Sequence, residues 1–159
     1  MKRFASMSAL AVVVGGLAFS TMAETATAGT KQATEKTAPA AADTLEVIAR
    51  VVEIPGTFPP NDLYNYVYVM KYRVIKVVKG TYKGQDILIG QYNPLIARKQ
   101  VKDAMDKNVD GDVQKFEVGA KHKLSLITPI DKVWKDALED EYFDSDLPKY
   151  YAVKTDIAK

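Results

Sequence analysis

Apolar and polar residues alternate over most of the chain beyond its first quarter, and this alternation predicts β-strands. Residues 45–54 are rich in β-branched side chains and end at Pro55, which favours a first strand followed by a loop. Residues 64–79 form an unusually long alternating segment whose phase changes near Val74 and Ile75. A β-bulge at that point would let one continuous strand bend around a barrel.

Three shorter strands are predicted after the long one. Residues 86–92, behind a glycine-containing turn, favour a third strand, and residues 116–130 carry a fourth strand centred on Leu124 and Leu126. Residues 150–157 alternate as a fifth strand near the carboxyl terminus. The chain therefore offers enough strands to close a small barrel.

Two segments between these strands change to helical spacing. After a cap at Asn93, the apolar residues Ile96, Val101 and Met105 predict a short amphipathic helix between strands three and four. A second helix is predicted over residues 132–142, before strand five. This order of elements predicts a mainly β fold, a five-stranded OB-fold-like Greek-key barrel with two helices.

The amino-terminal residues predict an export signal. Lys2 and Arg3 precede an apolar run, which is followed by a cleavage site of small residues that ends at Ala23. Residues 1–23 are therefore interpreted as a signal peptide, and cleavage after Ala28 is the alternative. The apolar run is shorter than the roughly 20 residues that a membrane-spanning helix needs. We therefore expect an exported, periplasmic or extracellular protein with no membrane insertion after signal cleavage.

Composition indicates how the chain is divided and which kinds of chemistry it excludes. Residues 24–42 are rich in Ala and Thr and hold no aromatic residue, which predicts a disordered tether in front of a barrel domain at 43–159. The chain has no cysteine and one histidine, which excludes disulfides and a cysteine nucleophile and disfavours catalysis. Without the two cations of the signal, 20 Lys and Arg stand against 20 Asp and Glu, so we expect no nucleic-acid partner.

The order of motifs resembles a known group of exported modules. An apolar strand, a long strand closing in Lys-Gly, a β-rich strand and a Phe-x-x-Gly turn are similar to the netrin-like or tissue-inhibitor-of-metalloproteinase-like OB modules of bacterial exported proteins. The matching positions, within residues 45–128, are Val77, Lys79, Gly80, Ile87, Phe116, Gly119 and Leu124. The chain is also similar to the OB-like tail of some exported SGNH-type, alginate O-acetyltransferase-like proteins, which implies an accessory role at cell-surface polysaccharide.

Residues 106–117 satisfy the calcium-loop pattern D-x-[DN]-x-[DN]-G-x5-E in full. A hard cation needs oxygen ligands spaced around it, and the loop offers them at alternate positions with Gly111 at the sharp turn. The predicted Ca²⁺ ligands are Asp106, Asn108, Asp110, Asp112, Gln114 and Glu117. The alternative interpretation is a tight turn without metal, because Asn, Asp and Gly are also turn formers.

A second candidate site lies on the long strand. Alternation places four tyrosines on one face, where they could stack on sugar rings or bases, and two cations belong to the same predicted strand. The predicted ligand-binding residues are Tyr64, Tyr66, Tyr68, Tyr72, Lys71 and Arg73. The alternative is that the tyrosines pack the barrel core. Residues 71–102 hold eight Lys or Arg and one acid, which suggests a face for an anionic polymer or an ordinary solvated surface.

Together these features predict an exported, noncatalytic binding or accessory module of the cell envelope that contacts polysaccharide or protein. The alternatives are a calcium-stabilised structural or interaction protein and an accessory subunit of polysaccharide acetylation. His122 and Ser125 lie three residues apart in a predicted strand, so they should point to opposite faces, which argues against a nucleophile and base pair. We expect His122 at the surface or at a strand edge.

Overall fold

The computed structural model describes residues 43–159, so the predicted signal peptide and tether, residues 1–42, lie outside the described residues. Strands dominate the described part. They are β1 (Asp43–Glu53), β2 (Val67–Lys79), β3 (Asp86–Tyr92), β4 (Asp110–Gly111), β5 (Lys121–Thr128), β6 (Leu138–Glu139) and β7 (Lys149–Ile157). Three 3₁₀ turns lie between them, at Arg98–Gln100, Asp106–Asn108 and Ile130–Lys132. No helical segment in this part is long and apolar enough to cross a membrane.

Five strands close into a barrel in the order β1-β2-β3-β7-β5 and back to β1. The pairs β1–β2, β2–β3, β1–β5 and β5–β7 are antiparallel, whereas β3 and β7 run parallel. The two-residue strands β4 and β6 add parallel pairs to β7 and β2. The predicted mainly β fold and its closed five-stranded barrel are confirmed.

β2 is the strand that closes the barrel. Its first half pairs with β3 and its second half with β1, so one continuous strand serves two neighbours. Where β2 pairs with β1, Ala49 faces Val74 and Ile48 faces Lys76, which leaves Ile75 without a partner. The bulge predicted near Val74 and Ile75 is therefore confirmed, and it provides the bend that closure requires.

Apolar side chains form two cores on the two sides of this sheet. The first fills the barrel with inward residues such as Val47, Met70 and Leu124, all fully buried. The second lies outside the barrel, where Val69 and Trp134 belong to one cluster that connects β2, β3 and β7 with the loops around them. Because both faces of the first half of β2 are buried, the loops that cover the outer face are part of the fold.

The helix predicted between strands three and four does not form. Its segment contains only the 3₁₀ turns Arg98–Gln100 and Asp106–Asn108. The buried side chain of Arg98 donates hydrogen bonds to backbone carbonyls in this segment. Arg98 Nη2 donates to the carbonyl oxygens of Asn93 at 2.8 Å and Ile96 at 2.7 Å, and the Arg98 N–H donates to Val113 O at 3.0 Å. The segment thus lies flat over the sheet, since tertiary hydrogen bonds outweigh helix propensity.

The helix predicted over residues 132–142 is also absent. One 3₁₀ turn at Ile130–Lys132 gives way to β6. The Ala137 carbonyl, which a helix would use internally, accepts the Trp134 indole N–H at 2.8 Å and the Val67 N–H at 3.0 Å. A buried backbone N–H without a hydrogen-bond acceptor costs free energy. The extended form of this segment is favoured because its Ala137 carbonyl accepts the Val67 N–H.

Candidate functional site

The predicted row of tyrosines lies inside the barrel for three of its four members. Tyr66 and Tyr72 are fully buried, and Tyr68 is 4% exposed. The Tyr66 hydroxyl donates to the Pro59 carbonyl at 2.6 Å, and the Tyr68 ring meets Phe58 edge-on at 4.9 Å. Their prediction as an open stacking face is therefore corrected. The barrel closes over this face of β2 and uses the rings for packing.

Tyr64 is the member of the row that stays outside. It is 43% exposed, its hydroxyl donates to Glu139 Oε1 at 2.9 Å, and its ring contacts Tyr66 edge-on at 5.8 Å. Lys71 and Arg73 also point outward but lie seven and nine residues further along the chain. The six predicted ligand-binding residues thus do not form one surface.

The predicted calcium loop is partly built into the sheet. Asp110 and Gly111 form β4 beside β7, and the Asp110 carboxylate lies 3.2 Å from Lys154 Nζ. A backbone hydrogen bond from Gly111 and the Lys154 ammonium hold the pKa of Asp110 below its usual range. Asp112 Oδ1 accepts the Ile157 N–H at 2.6 Å. These two carboxylates therefore face different partners.

The remaining predicted ligands are also apart. Glu117 pairs with Lys115 at 2.9 Å, Gln114 donates to the Asp112 carbonyl at 3.2 Å, and Asp106 and Asn108 belong to a 3₁₀ turn. Within residues 43–159, no three His, Asp or Glu side chains are grouped as a metal ion requires. Calcium binding stays a prediction. It would require the Asp110 carboxylate to exchange Lys154 for the metal, and the predicted ligand atom of Asp112, its backbone carbonyl oxygen, to turn from Gln114 to the metal.

A groove beside the start of β2 combines exposed aromatic and acidic groups. Its volume is about 670 Å³. Its walls come from three separate segments, namely the residues before β2, the end of β3 with the loop that follows, and the loop before β6. The residues that give it chemical character are Tyr64, Asn65, Tyr92, Asp103, Trp134 and Asp136.

Hydrogen bonds and a ring contact fix the floor of this groove. The Tyr92 hydroxyl donates to Asp103 Oδ2 at 2.7 Å, and Asp103 Oδ1 accepts the Met105 N–H at 2.9 Å. Burial, and then this carboxylate, raise the pKa of Tyr92 far above its usual range, so the hydroxyl keeps its proton and donates. Trp134 meets Tyr92 edge-on at 5.1 Å, while its indole N–H is held by Ala137.

Asn93 holds the wall that carries Tyr64 against the end of β3. Its backbone has a positive φ of 38°, a conformation that Asn tolerates better than most residues. Its side-chain oxygen accepts the Tyr66 N–H at 3.0 Å, and its amide nitrogen donates to Asn65 at 2.8 Å. The groove is thus preorganised by strand-end hydrogen bonds.

A second groove of about 510 Å³ also borders the loop before β6, which contains Trp134. The two grooves share Trp134, Lys135 and Asp136, and the second one adds Leu138 and Lys149 to its lining. Because they share these lining residues, we treat the two grooves together and call them the cleft.

Two polar residues, Arg98 and His122, are buried although the sequence did not predict their burial. His122 was expected at the surface, but it is 2% exposed, and its Nδ1 lies 3.3 Å from the Tyr72 hydroxyl. Arg98 lies within the segment predicted as a helix, and it is buried with its guanidinium 5.2 Å from the centre of the Phe116 ring. The alternation of His122 with Leu124 was the signal that could have placed it inside.

Comparison of the chain with protein-family models, with curated proteins and with solved structures finds no significant match to any of them. The cleft is therefore the feature of the chain that indicates a function. Its exposed ring, carboxylates and amide can stack on a ligand and accept or donate hydrogen bonds.

Proposed function

We propose that the chain is an exported, noncatalytic module of the cell envelope that binds an extended polysaccharide chain in the cleft. The observation that carries the proposal is the exposed ring of Tyr64, fixed in place beside the carboxylates Asp103 and Asp136. A flat aromatic surface bordered by hydrogen-bonding groups suits a sugar, which has apolar ring faces and a rim of hydroxyls.

Preorganisation supports the proposal. Tyr64 is held by Glu139 and by the edge of Tyr66, so little side-chain freedom would be lost when a sugar ring stacks on it. Asp103 is oriented by Tyr92 and by a backbone N–H before any ligand arrives. The groups in the cleft thus do not have to reorganise on binding.

The barrel type adds to the argument. We further propose that the barrel belongs to the OB-fold class, and its strand order supports this because the third strand of the barrel runs parallel to the last one. Barrels of this class use one strand face and its bordering loops to bind oligosaccharides and oligonucleotides. The cleft lies beside β2 and β3, next to such loops.

Binding of the chain to a panel of envelope polysaccharides tests this proposal. In isothermal titration with the polysaccharide that binds, we expect Tyr64→Ala to weaken binding by about tenfold or more, because the stacking surface is lost. Tyr64→Phe should keep most of the affinity, since it removes only the hydroxyl that binds Glu139. Phe143→Ala is the matched control, because Phe143 is 75% exposed and lines neither groove.

The outcomes separate the proposal from its competitors. Equal weakening by Tyr64→Ala and Phe143→Ala would show that the affinity does not come from the cleft. Absence of binding to every polysaccharide of the panel would contradict the proposal as a whole.

A further inference from the structure

A row of positive charges crosses the outer face of three neighbouring strands. The strand register places Arg50 of β1 opposite Arg73 of β2 on one side and opposite Lys121 of β5 on the other. All three side chains are exposed. Neighbouring strands lie about 4.8 Å apart, so the three Cα atoms span about 10 Å.

A second row follows two residues along β1. Here Lys76 of β2 and Lys123 of β5 stand on either side of Ile48, and both lysines are exposed. We call the two rows together the basic face. Its members are Arg50, Arg73, Lys76, Lys121 and Lys123.

Most of these charges lack an acidic partner. Arg73 pairs with Asp86 at 2.9 Å, but within residues 43–159 the other four members form no salt bridge. The whole chain carries a formal charge of only +2, so the clustering does not reflect a general excess of cations. Like charges directly opposite each other destabilise a sheet, and Arg50 has such a neighbour on both sides.

We propose that the basic face binds an anionic polysaccharide that lies across β2, β1 and β5. Asp156 of β7 stands opposite Lys123, whereas the strand register places no acid opposite Arg50, Lys76 or Lys121. An anionic polymer supplies negative charge at those three cations, and a chain crossing the strands meets one cation at each strand. A flexible polymer can also follow the convex outside of a barrel. The inference goes beyond the binding in the cleft, since Arg73 lies nine residues beyond Tyr64 along the chain.

Retention on immobilised heparin, which carries sulfates, and on polygalacturonate, which carries carboxylates, tests this surface, with uncharged dextran as the reference. We expect the wild-type chain to bind both polyanions at low ionic strength and to elute as salt screens the charges. The double variant Arg50→Gln, Lys121→Gln should bind about tenfold more weakly. Its melting temperature should be equal to or above that of the wild type, because a repulsion is relieved.

A second double variant controls for net charge. Lys107→Gln with Lys115→Gln removes the same charge from residues outside the basic face. It should leave retention unchanged within about twofold, since a specific surface is being tested rather than total charge. Equal weakening by both double variants would overturn the proposal.

Three further results would also overturn it. The first is absence of retention on both polyanions. The second is binding that survives Arg50→Gln with Lys121→Gln but is lost in Tyr64→Ala, which would place the polyanion in the cleft. The third is a salt-sensitive dimer that the basic-face variant dissolves, which would make this surface a contact between copies of the chain.

Discussion

Inside the barrel, His122 is held neutral by its surroundings. The ring of Phe116 meets it edge-on at 5.6 Å, and the Tyr72 hydroxyl lies near Nδ1. Burial lowers the pKa of His122 from 6.5 to about 4, with Asp112 acting in the opposite direction. Between those two pH values the unfolded chain binds a proton that the folded chain does not bind, so folding weakens as the pH falls.

His122→Gln should therefore reduce the pH dependence of stability. The wild type should lose on the order of 3 kcal/mol of unfolding free energy between pH 6.5 and pH 4 through this residue. Urea unfolding of both proteins across that range measures it, and the difference between them removes the contribution of the carboxylates. Parallel curves for the two proteins would contradict the account of His122.

Single residues show how far the strand pattern can predict a site. Alternation correctly grouped Tyr66, Tyr68 and Tyr72 on one face of β2, but it does not tell an inward face from an outward one when both are apolar. Val67 and Val69 on the opposite face are as buried as the tyrosines. Which face is inside the barrel is decided only by closure, which depends on residues far away in the chain.

At the level of elements, β4 depends on one glycine. Gly111 has a φ of 127°, and a Cβ added there would overlap the Thr155 carbonyl oxygen in β7. The close approach allows the Asp110–Gly111 segment to pair with Lys154 and Thr155. The glycine that the sequence pattern assigned to a calcium-loop turn thus also has a packing role in the sheet.

Gly111→Ala should destabilise the barrel more than a comparable change elsewhere. We expect a loss of about 2 to 4 kcal/mol, from backbone strain together with the overlap at Thr155. Gly119→Ala is the control, because Gly119 has a φ of 91° but open space around its Cα, so only the strain of about 1 to 2 kcal/mol applies. Chemical denaturation of both variants measures the difference, and equal losses would contradict the packing role of Gly111.

The strands were predicted better than the connections between them. β3 was predicted with its observed bounds because its sequence is a short run of strand-forming residues that follows a glycine-containing turn, and the bulge in β2 was placed correctly because the alternation changes phase there. The two helices were wrong, because Arg98 and Trp134 make hydrogen bonds to backbone carbonyls that helical spacing does not reveal. Amphipathic spacing alone does not distinguish a helix from a loop that covers a sheet.

At the level of the whole molecule, a closed barrel brings distant segments together. The first groove of the cleft unites residues near 64, 103 and 134, and each of these is about 30 to 40 positions from the next along the chain. The barrel could be predicted from the sequence because each strand carries its own pattern. The cleft could not, because none of its three walls has a motif and only closure makes them neighbours.

The basic face, like the cleft, is formed by residues that are far apart in the sequence. The lysines and arginines of β2 were visible in the sequence as a basic stretch, but their alignment with Arg50 and Lys121 depends on strand register. Register is fixed by the buried face, since a slip of one residue would turn the core outward. The basic face is therefore a property of the assembled barrel.

Backbone amide chemical shifts in a titration with the bound polysaccharide test the central claim most directly. The account predicts that the largest shifts cluster at Tyr64, Asn65, Asp103 and residues 134–136, with little change at Val118 on the Glu117–Gly119 turn. It also predicts that Tyr64→Ala moves the midpoint of the titration to an about tenfold or more higher polysaccharide concentration, while the spectrum stays that of a folded barrel. Shifts confined to other surfaces, or unchanged by Tyr64→Ala, would contradict binding in the cleft.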